Sequence, residues 1–472
     1  MFYIYNIFFY AILFWIVSHI LLKNNLTPIS KITWVALFFF LPYPAIIIYW
    51  LFGNERLSKK AREYKASFEH LKEIYPDYFL KSKKDFKYSN SFNYASSINN
   101  FKPLGGNKVE LINPQSKAQE DILDSINQAS SNISITYYIW LPDKTGISLC
   151  NSLIEASKRG VRCRVLVDHI GSKKLIKSPY WKEMIDAGIE AKIDLYIKYL
   201  PLGYLFIFFY RIDIRNHRKL ALIDDRTAYI GSQNCADDNY QNSRYGPWED
   251  IVVKINGPLV HQLKILFLSD WAPAVGEFFT FNESNDIFSE NALAVSIADG
   301  PTERYGAFSQ FLVCLLNEAK SCITITTPYF VPDSNTLDSL CSAALRGIKV
   351  TLILPHLNNS KIVSYASKIT YFNLLKSGVK IYEYLPGLLH SKTLLIDNKK
   401  VCLGSSNLDL RSFNLNYENN ILVEDIDFAF QIKSRQNEYI RKSIPVLLSD
   451  VEKMSRIIKF RNNIASVLRS LI

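Results

Sequence analysis

The sequence lacks the spacings with which cysteine and histidine hold a metal. Its seven cysteines are an odd number, with no CxxC pair and no ligand spacing suited to zinc, which argues against a disulfide framework and against a metal centre. Cys150, Cys163, Cys314, Cys322, Cys341 and Cys402 each lie in an apolar run and read as small core hydrophobes in a reducing compartment. Formal charge is missing from two stretches, 2–22 and 32–53, each about 20 residues long and so long enough for a helix to cross a bilayer core. The first stretch also lacks the basic start and small-residue cleavage site of a signal peptide, and a second stretch follows it at once. Residues 1–53 are therefore expected to form a two-helix transmembrane hairpin, with Pro42 and Pro44 kinking its second arm. Only Lys23 and Lys31 charge the turn, whereas Arg56, Lys59, Lys60, Arg62, Lys65 and Lys72 follow the second stretch. This asymmetry places the downstream chain in the cytoplasm.

What the chain does contain is a duplication. HRKLALID, holding His217, Lys219 and Asp224, and HSKTLLID, holding His390, Lys392 and Asp397, are two copies of HxKxxxxD. Gly231, Ser232 and Asn234 lie 14, 15 and 17 residues beyond the first histidine, and Gly404, Ser405 and Asn407 lie at the same offsets beyond the second. Two copies with matching downstream spacing do not arise by chance. ISITYYIWLPD from Ile133 aligns without gaps on ITITTPYFVPD from Ile323, an offset of 190 residues. Apolar helical spacing precedes each stretch, a second helix ending at Gly160 or Gly347 follows, and then come the strands VRCRVLVD and IKVTLILP. This order predicts an α/β sandwich built twice, two pseudo-repeats facing each other, over 105–290 and 291–472, with 54–104 as a connector.

Histidine and lysine one residue apart on a strand share a face, so each copy offers an imidazole beside an ammonium. Asp224 and Asp397, seven residues on, turn to the opposite face and are expected to support the motif rather than meet substrate. In GSxN, glycine permits close backbone approach and the asparagine amide can donate to an anionic oxygen. Two histidines, two lysines and two asparagines suit metal-free displacement at a phosphodiester. One histidine attacks phosphorus and the other protonates the leaving oxygen, while Lys219, Lys392, Asn234 and Asn407 hold the non-bridging oxygens. Each ring needs an orienting acceptor. Asp250 in the first repeat and Glu418 in the second are the candidates.

These motifs resemble the phospholipase D superfamily and, in detail, its bacterial cardiolipin synthases, over nearly the whole chain. RNHRK at Arg215 to Lys219, TPYFVPD at Thr327 to Asp333, GSSNLDLRSFNLNYE from Gly404 to Glu418 and the doubled N-terminal apolar stretch carry the likeness. The resemblance implies two phospholipase D-like α/β/α domains behind a membrane hairpin in the bacterial inner membrane. It also implies transfer between two phosphatidylglycerol molecules through a phosphatidyl-histidine, with no cofactor and no nucleic acid partner. It gives attack to His217 and acid/base work to His390. Two departures stand in the first repeat: GSQN where a glycine pair is common, and Glu249 where an arginine commonly precedes the aspartate. Glu249 adds negative charge near the expected site, which weakens the case for Asp250 as the first repeat's orienting group.

The first repeat is about 14 residues longer than the second between Arg159/Arg346 and the histidine. That excess includes Tyr199 to Tyr210, an uncharged aromatic run between Lys198 and Arg211 that suits either shallow membrane insertion or a buried element. His169 and His356 occupy matching strand ends but lack lysine or asparagine companions, and His19, His70 and His261 stand alone. The net charge of +11 suits nucleic acid or anionic lipid, the latter being simpler beside a membrane anchor, and the basic C-terminal stretch, Arg441 to Arg461, suits acidic headgroups or a solvated face. A hydrolytic phospholipase D, a transferase using another phospholipid donor such as phosphatidylethanolamine, a nuclease and a non-enzymatic scaffold compete with this transferase. The hairpin and the aromatic run disfavour the nuclease, and two intact motifs disfavour the scaffold.

Overall fold

Alternating apolar residues and β-branched runs give each repeat seven strands, and the computed structural model, which describes residues 2–23, 28–52, 59–80, 88–197, 213–240, 245–281 and 290–467, joins them in one sheet. The chain divides into two compact units, one holding the N-terminal helices and the other both repeats. In the first unit α1 is Phe2–Leu22, α2 is Pro28–Phe40 and α3 is Pro42–Phe52. The second expected arm is thus two helices, because Pro42 and Pro44 have no N–H to continue the ladder from α2. Ile16, Ile20, Phe38, Ala45 and Tyr49 are buried together in this unit. Among the described residues, no helix is long and apolar enough to cross a membrane. The run from Tyr199 to Tyr210 lies outside the described residues.

In the second unit the first repeat supplies β1 (Leu104–Leu111), β2 (Asn132–Tyr137), β3 (Arg162–Asp168), β4 (Glu190–Asp194), β5 (Lys219–Ile223), β6 (Thr227–Gly231) and β7 (Val252–Asn256). The second supplies β8 (Ala292–Asp299), β9 (Cys322–Thr326), β10 (Lys349–Pro355), β11 (Lys380–Tyr384), β12 (Thr393–Ile396), β13 (Lys400–Gly404) and β14 (Asn416–Glu424). Their order across the sheet is β4-β3-β2-β5-β6-β7-β1, then β8-β14-β13-β12-β9-β10-β11. The second half repeats the first in mirror sequence, and β1 and β8 join the halves antiparallel, Leu104 opposite Ala294 and Asn107 opposite Ala292. The two repeats are joined edge to edge, and with Ser443–Pro445 beside β11 and Arg215–Asn216 beside β14 their fourteen strands make one sixteen-stranded sheet.

Parallel triplets β2-β3-β4 and β9-β10-β11 require crossover helices, which Lys144–Lys158 and Pro179–Asp186, or Ser334–Leu345 and Lys361–Lys376, provide. The last residues of the two aligned stretches, Asp143 and Asp333, cap the first of these helices by accepting from Gly146 N and Thr336 N. Helix Leu259–Val275 is buried along most of its length against the sheet, with Phe267 and Trp271 fully enclosed. The body of the unit is thereby fixed, and the two histidine motifs sit on inner strands of it.

Candidate active site

His217 and His390 stand just ahead of β5 and β12, and the residues leading into them pair with the other repeat. Arg215 and Asn216 run parallel to Asn416 and Tyr417, while Leu388 and Leu389 run parallel to Trp248 and Glu249. His217 N donates to Tyr417 O at 2.9 Å, and His390 N donates to Glu249 O at 2.8 Å. One step further in this register brings His217 Nδ1 to 2.9 Å from Glu418 Oε2 and His390 Nδ1 to 2.6 Å from Asp250 Oδ1. Each carboxylate faces the histidine of the opposite repeat. The within-repeat pairing expected from the sequence is corrected, because it ignored two short ladders that cross between the halves.

The lysines behave alike: Lys219 Nζ donates to His217 O at 2.6 Å and Lys392 Nζ to His390 O at 2.7 Å. The serine of each GSxN has a role that sequence reasoning did not assign. Ser232 Oγ donates to Asp250 and accepts from Ile251 N, and Ser405 Oγ donates to Glu418 and accepts from Asn419 N. Each serine thus holds the carboxylate that holds the other repeat's histidine; its repetition in both GSxN copies was the available signal. The preceding glycines fit as expected. A Cβ on Gly231 would lie 2.0 Å from Ile251 O and one on Gly404 2.2 Å from Asn419 O. Asn234 Oδ1 accepts from Ile139 N at 3.3 Å, whereas Asn407 Oδ1 is buried with no hydrogen-bond partner among the described residues. Asp224 and Asp397 do not join this cluster. They accept the backbone N–H groups of Ser130, Ser131 and Asn132, and of Lys320, Ser321 and Cys322, at the far ends of their strands.

A family described as "Cardiolipin synthase, PLD-like domain" matches residues 122–271 and 312–439, which bracket both motifs. The chain belongs to this cardiolipin synthase family. Cardiolipin synthase A of Buchnera aphidicola from Schizaphis graminum is 32% identical over 441 residues, 91% of this chain and 90% of that protein. Cardiolipin synthase A of Yersinia pseudotuberculosis is 33% identical over 448 residues, 90% of this chain and 89% of that one. The crystal structure of phosphatidylserine synthase from Haemophilus influenzae superposes with a TM-score of 0.58 at 14% identity, covering 81% of this chain and 98% of that one, a likeness of fold.

In this member of the cardiolipin synthase family the cluster is largely buried. Lys219, His390, Lys392, Asn234, Asn407, Asp250 and Glu418 are buried, and the His217 side chain is 12% exposed against 5% for His390. Burial pushes both histidines down to about 4, against the pull of Glu418 on His217 and of Asp250 on His390. Lys392 adds to the lowering at His217 and Lys219 to that at His390, so the two motifs act on one another's charge. Burial likewise lowers Lys219 to about 8 and Lys392 to about 7. Burial alone would raise Asp250 and Glu418, but the facing histidines and lysines outweigh it and keep both carboxyls below their ordinary range. Tyr138 packs on the His217 ring at 5.0 Å and Trp248 on the His390 ring at 4.5 Å.

Glu249 does not add free charge to the centre. Arg435 donates to it at 2.8 Å from the helix Ile426–Arg441, which removes the objection to Asp250 as an orienting group. His356 is bound to Glu383 at 2.8 Å and His261 to the Tyr78 hydroxyl at 2.7 Å, both outside the cluster. Among the described residues no group of three or more histidine, cysteine, aspartate and glutamate side chains is arranged to hold a metal.

Proposed function

We propose that the protein transfers a phosphatidyl group from one phosphatidylglycerol to another, forming cardiolipin and releasing glycerol, at the crossed His217–Glu418 and His390–Asp250 pairs. The observation that carries this reading is the pairing itself. With Nδ1 of each ring committed to a carboxylate, each histidine turns Nε2 to the substrate, one as nucleophile and one as proton carrier. His217 is the better exposed of the two and takes the attacking role. Its Nε2 forms a bond to phosphorus as the glycerol oxygen leaves with a proton from His390. The hydroxyl of a second phosphatidylglycerol then gives its proton to His390 and attacks phosphorus, and the P–N bond to His217 breaks.

Lys219 and Lys392 neutralise the non-bridging oxygens through both steps, with the amides of Asn234 and Asn407 donating beside them. Burial keeps both histidines neutral before substrate arrives, with two lysines and two carboxylates set around them. An arriving phosphodiester brings one further negative charge and favours a proton on His390, so binding and acid catalysis are coupled. The uncharged stretches 2–22 and 32–53 are read as the membrane anchor, and the basic residues after them as its cytoplasmic flank.

The test is to give the membrane-embedded protein phosphatidylglycerol and follow lipids by mass spectrometry. Cardiolipin with an equivalent of glycerol is the expected product, and phosphatidic acid alone would overturn transfer in favour of hydrolysis.

A further inference from the structure

The last described helix, Arg456–Val467, has two apolar faces where docking needs one. Asn462 and Ala465 are buried on the side that packs on the helix Lys361–Lys376, where Ala465 joins a cluster with Val331, Val363 and Ala366. On the other side Ile457 is 82% exposed, Phe460 68%, Ile464 49% and Val467 79%. At 100° per residue these four fall within an arc of about 80°. Such a stripe is a cost to a protein that leaves it in water.

Charge says what covers it. Arg456 borders the stripe on one side and Arg461 on the other, Lys453 and Lys459 are exposed close by, and from Lys453 to the last residue the sequence contains no aspartate or glutamate. Apolar residues bordered by arginine and lysine, without acids, match the interface of an anionic bilayer, where the apolar face enters the acyl boundary and the basic heads meet phosphates. Beside the helix lies a groove of about 360 Å³ whose lining includes Ile369, Phe372 and Met454 with Lys368 and Lys459, two cations against the one acid, Glu452. The helix also borders the centre. Val331, buried in the same Ala465 cluster, pairs with Asp409, and Phe330 pairs with Leu408, the residue after Asn407.

We propose that the helix Arg456–Val467 lies in the interface of an anionic membrane and presents the adjoining centre to lipid headgroups. The role beside the centre rests on the lipid-transfer reading above, while the docking itself does not. The test uses the full chain in vesicles, with Phe460→Cys carrying an environment-sensitive fluorophore and the unsubstituted protein as the labelling blank. In vesicles rich in phosphatidylglycerol the emission is expected to shift to the blue and to be quenched by a lipid-borne quencher, with both effects weakened in pure phosphatidylcholine and by Arg456→Glu/Lys459→Glu. A second variant, Ile457→Ser/Phe460→Ser/Ile464→Ser, is expected to lose about tenfold in turnover on bilayers while keeping its rate on a short-chain, monomeric substrate. A label that stays in water in anionic vesicles overturns the proposal, as does one shielded in proportion to protein concentration without lipid, which would make the stripe a contact with a second copy. The fluorescence readout stands even if the protein fails to make cardiolipin, so the two readings fail separately.

Discussion

The two repeats share their strand order, motif and short ladders, yet neither can orient its own histidine. The first repeat keeps Asp250 for His390, and the second keeps Glu418 for His217. A serine at equal offsets holds each carboxylate, and the glycine before it packs on the next backbone carbonyl, so the symmetry reaches two layers behind the rings. The differences are local. The first repeat has the shorter carboxylate, the more exposed histidine and a lysine lowered to about 8; the second has the longer carboxylate, the enclosed histidine and a lysine lowered to about 7. Duplication has made one centre whose halves are interdependent for geometry and free to differ in access and charge.

Removing a ring tests interdependence most severely. His217→Ala and His390→Ala are each expected to lower turnover by ~10²–10⁴-fold. They part company on a phosphatidyl ester of p-nitrophenol, whose leaving group needs no acid. His390→Ala should still release a burst of p-nitrophenol, and His217→Ala should release none. A burst from His217→Ala and not from His390→Ala would exchange their roles.

The crossed pairing is broken more gently by Glu418→Gln and Asp250→Asn, each expected to cost on the order of 10²-fold in kcat by loosening one ring and withdrawing a charge from it. Nitrogen NMR of labelled histidines distinguishes the crossed arrangement from the within-repeat one. Glu418→Gln should move the His217 signals and leave those of His390, and Asp250→Asn should do the reverse. The opposite assignment would restore the pairing expected from sequence.

The two lysines offer the next contrast. Both must be protonated to receive a phosphodiester, and burial lowers Lys392, to about 7, further than Lys219, to about 8. In the free protein the second repeat should therefore lose its charge first as pH rises. kcat/KM is expected to fall above about pH 7 and, in Lys392→Arg, which cannot titrate in this range, to hold until about pH 8, a difference of about tenfold between them at the alkaline end once each is scaled to its own maximum. An alkaline limb that does not move in this variant would sink the assignment.

Much of the centre is legible in the sequence, because the duplication is written in spacing: HxK puts His217 beside Lys219 on any strand, and an identical offset to GSxN requires the same hairpin after it. The crossing is not legible there. It depends on Asn216 and Leu389 pairing with strands about 140 to 200 residues away in the chain, and a local pattern carries no record of such partners. The joining of the two halves is not legible for the same reason, since nothing in β1 or β8 alone says that their edges meet. Glu249 misled because its partner, Arg435, lies on a helix of the other repeat.

The smallest expected effect on activity comes from the third member of each motif, and it again compares the halves. Asp224 accepts five hydrogen bonds, from the N–H groups of Ser130, Ser131 and Asn132 and the hydroxyls of Ser130 and Ser131, whereas Asp397 accepts four, with a lysine in place of the first serine. Burial raises both carboxyls, but these donors outweigh it and hold both below the ordinary aspartate range. Both residues sit at positive φ, 52° and 51°, where asparagine is tolerated better than alanine, so Asn is the substitution that isolates the charge. Asp224→Asn and Asp397→Asn should each lose about 1–3 kcal/mol of stability with turnover nearly unchanged, the larger loss at Asp224. A depressed folded pKa gives stability that is present above the unfolded value and vanishes as pH falls through the folded one. The variants should therefore differ from the parent most at neutral pH and converge with it in acid, as read by denaturant midpoints at pH 7 and pH 3. A large fall in turnover without loss of stability would instead bring these aspartates into the chemistry of the centre.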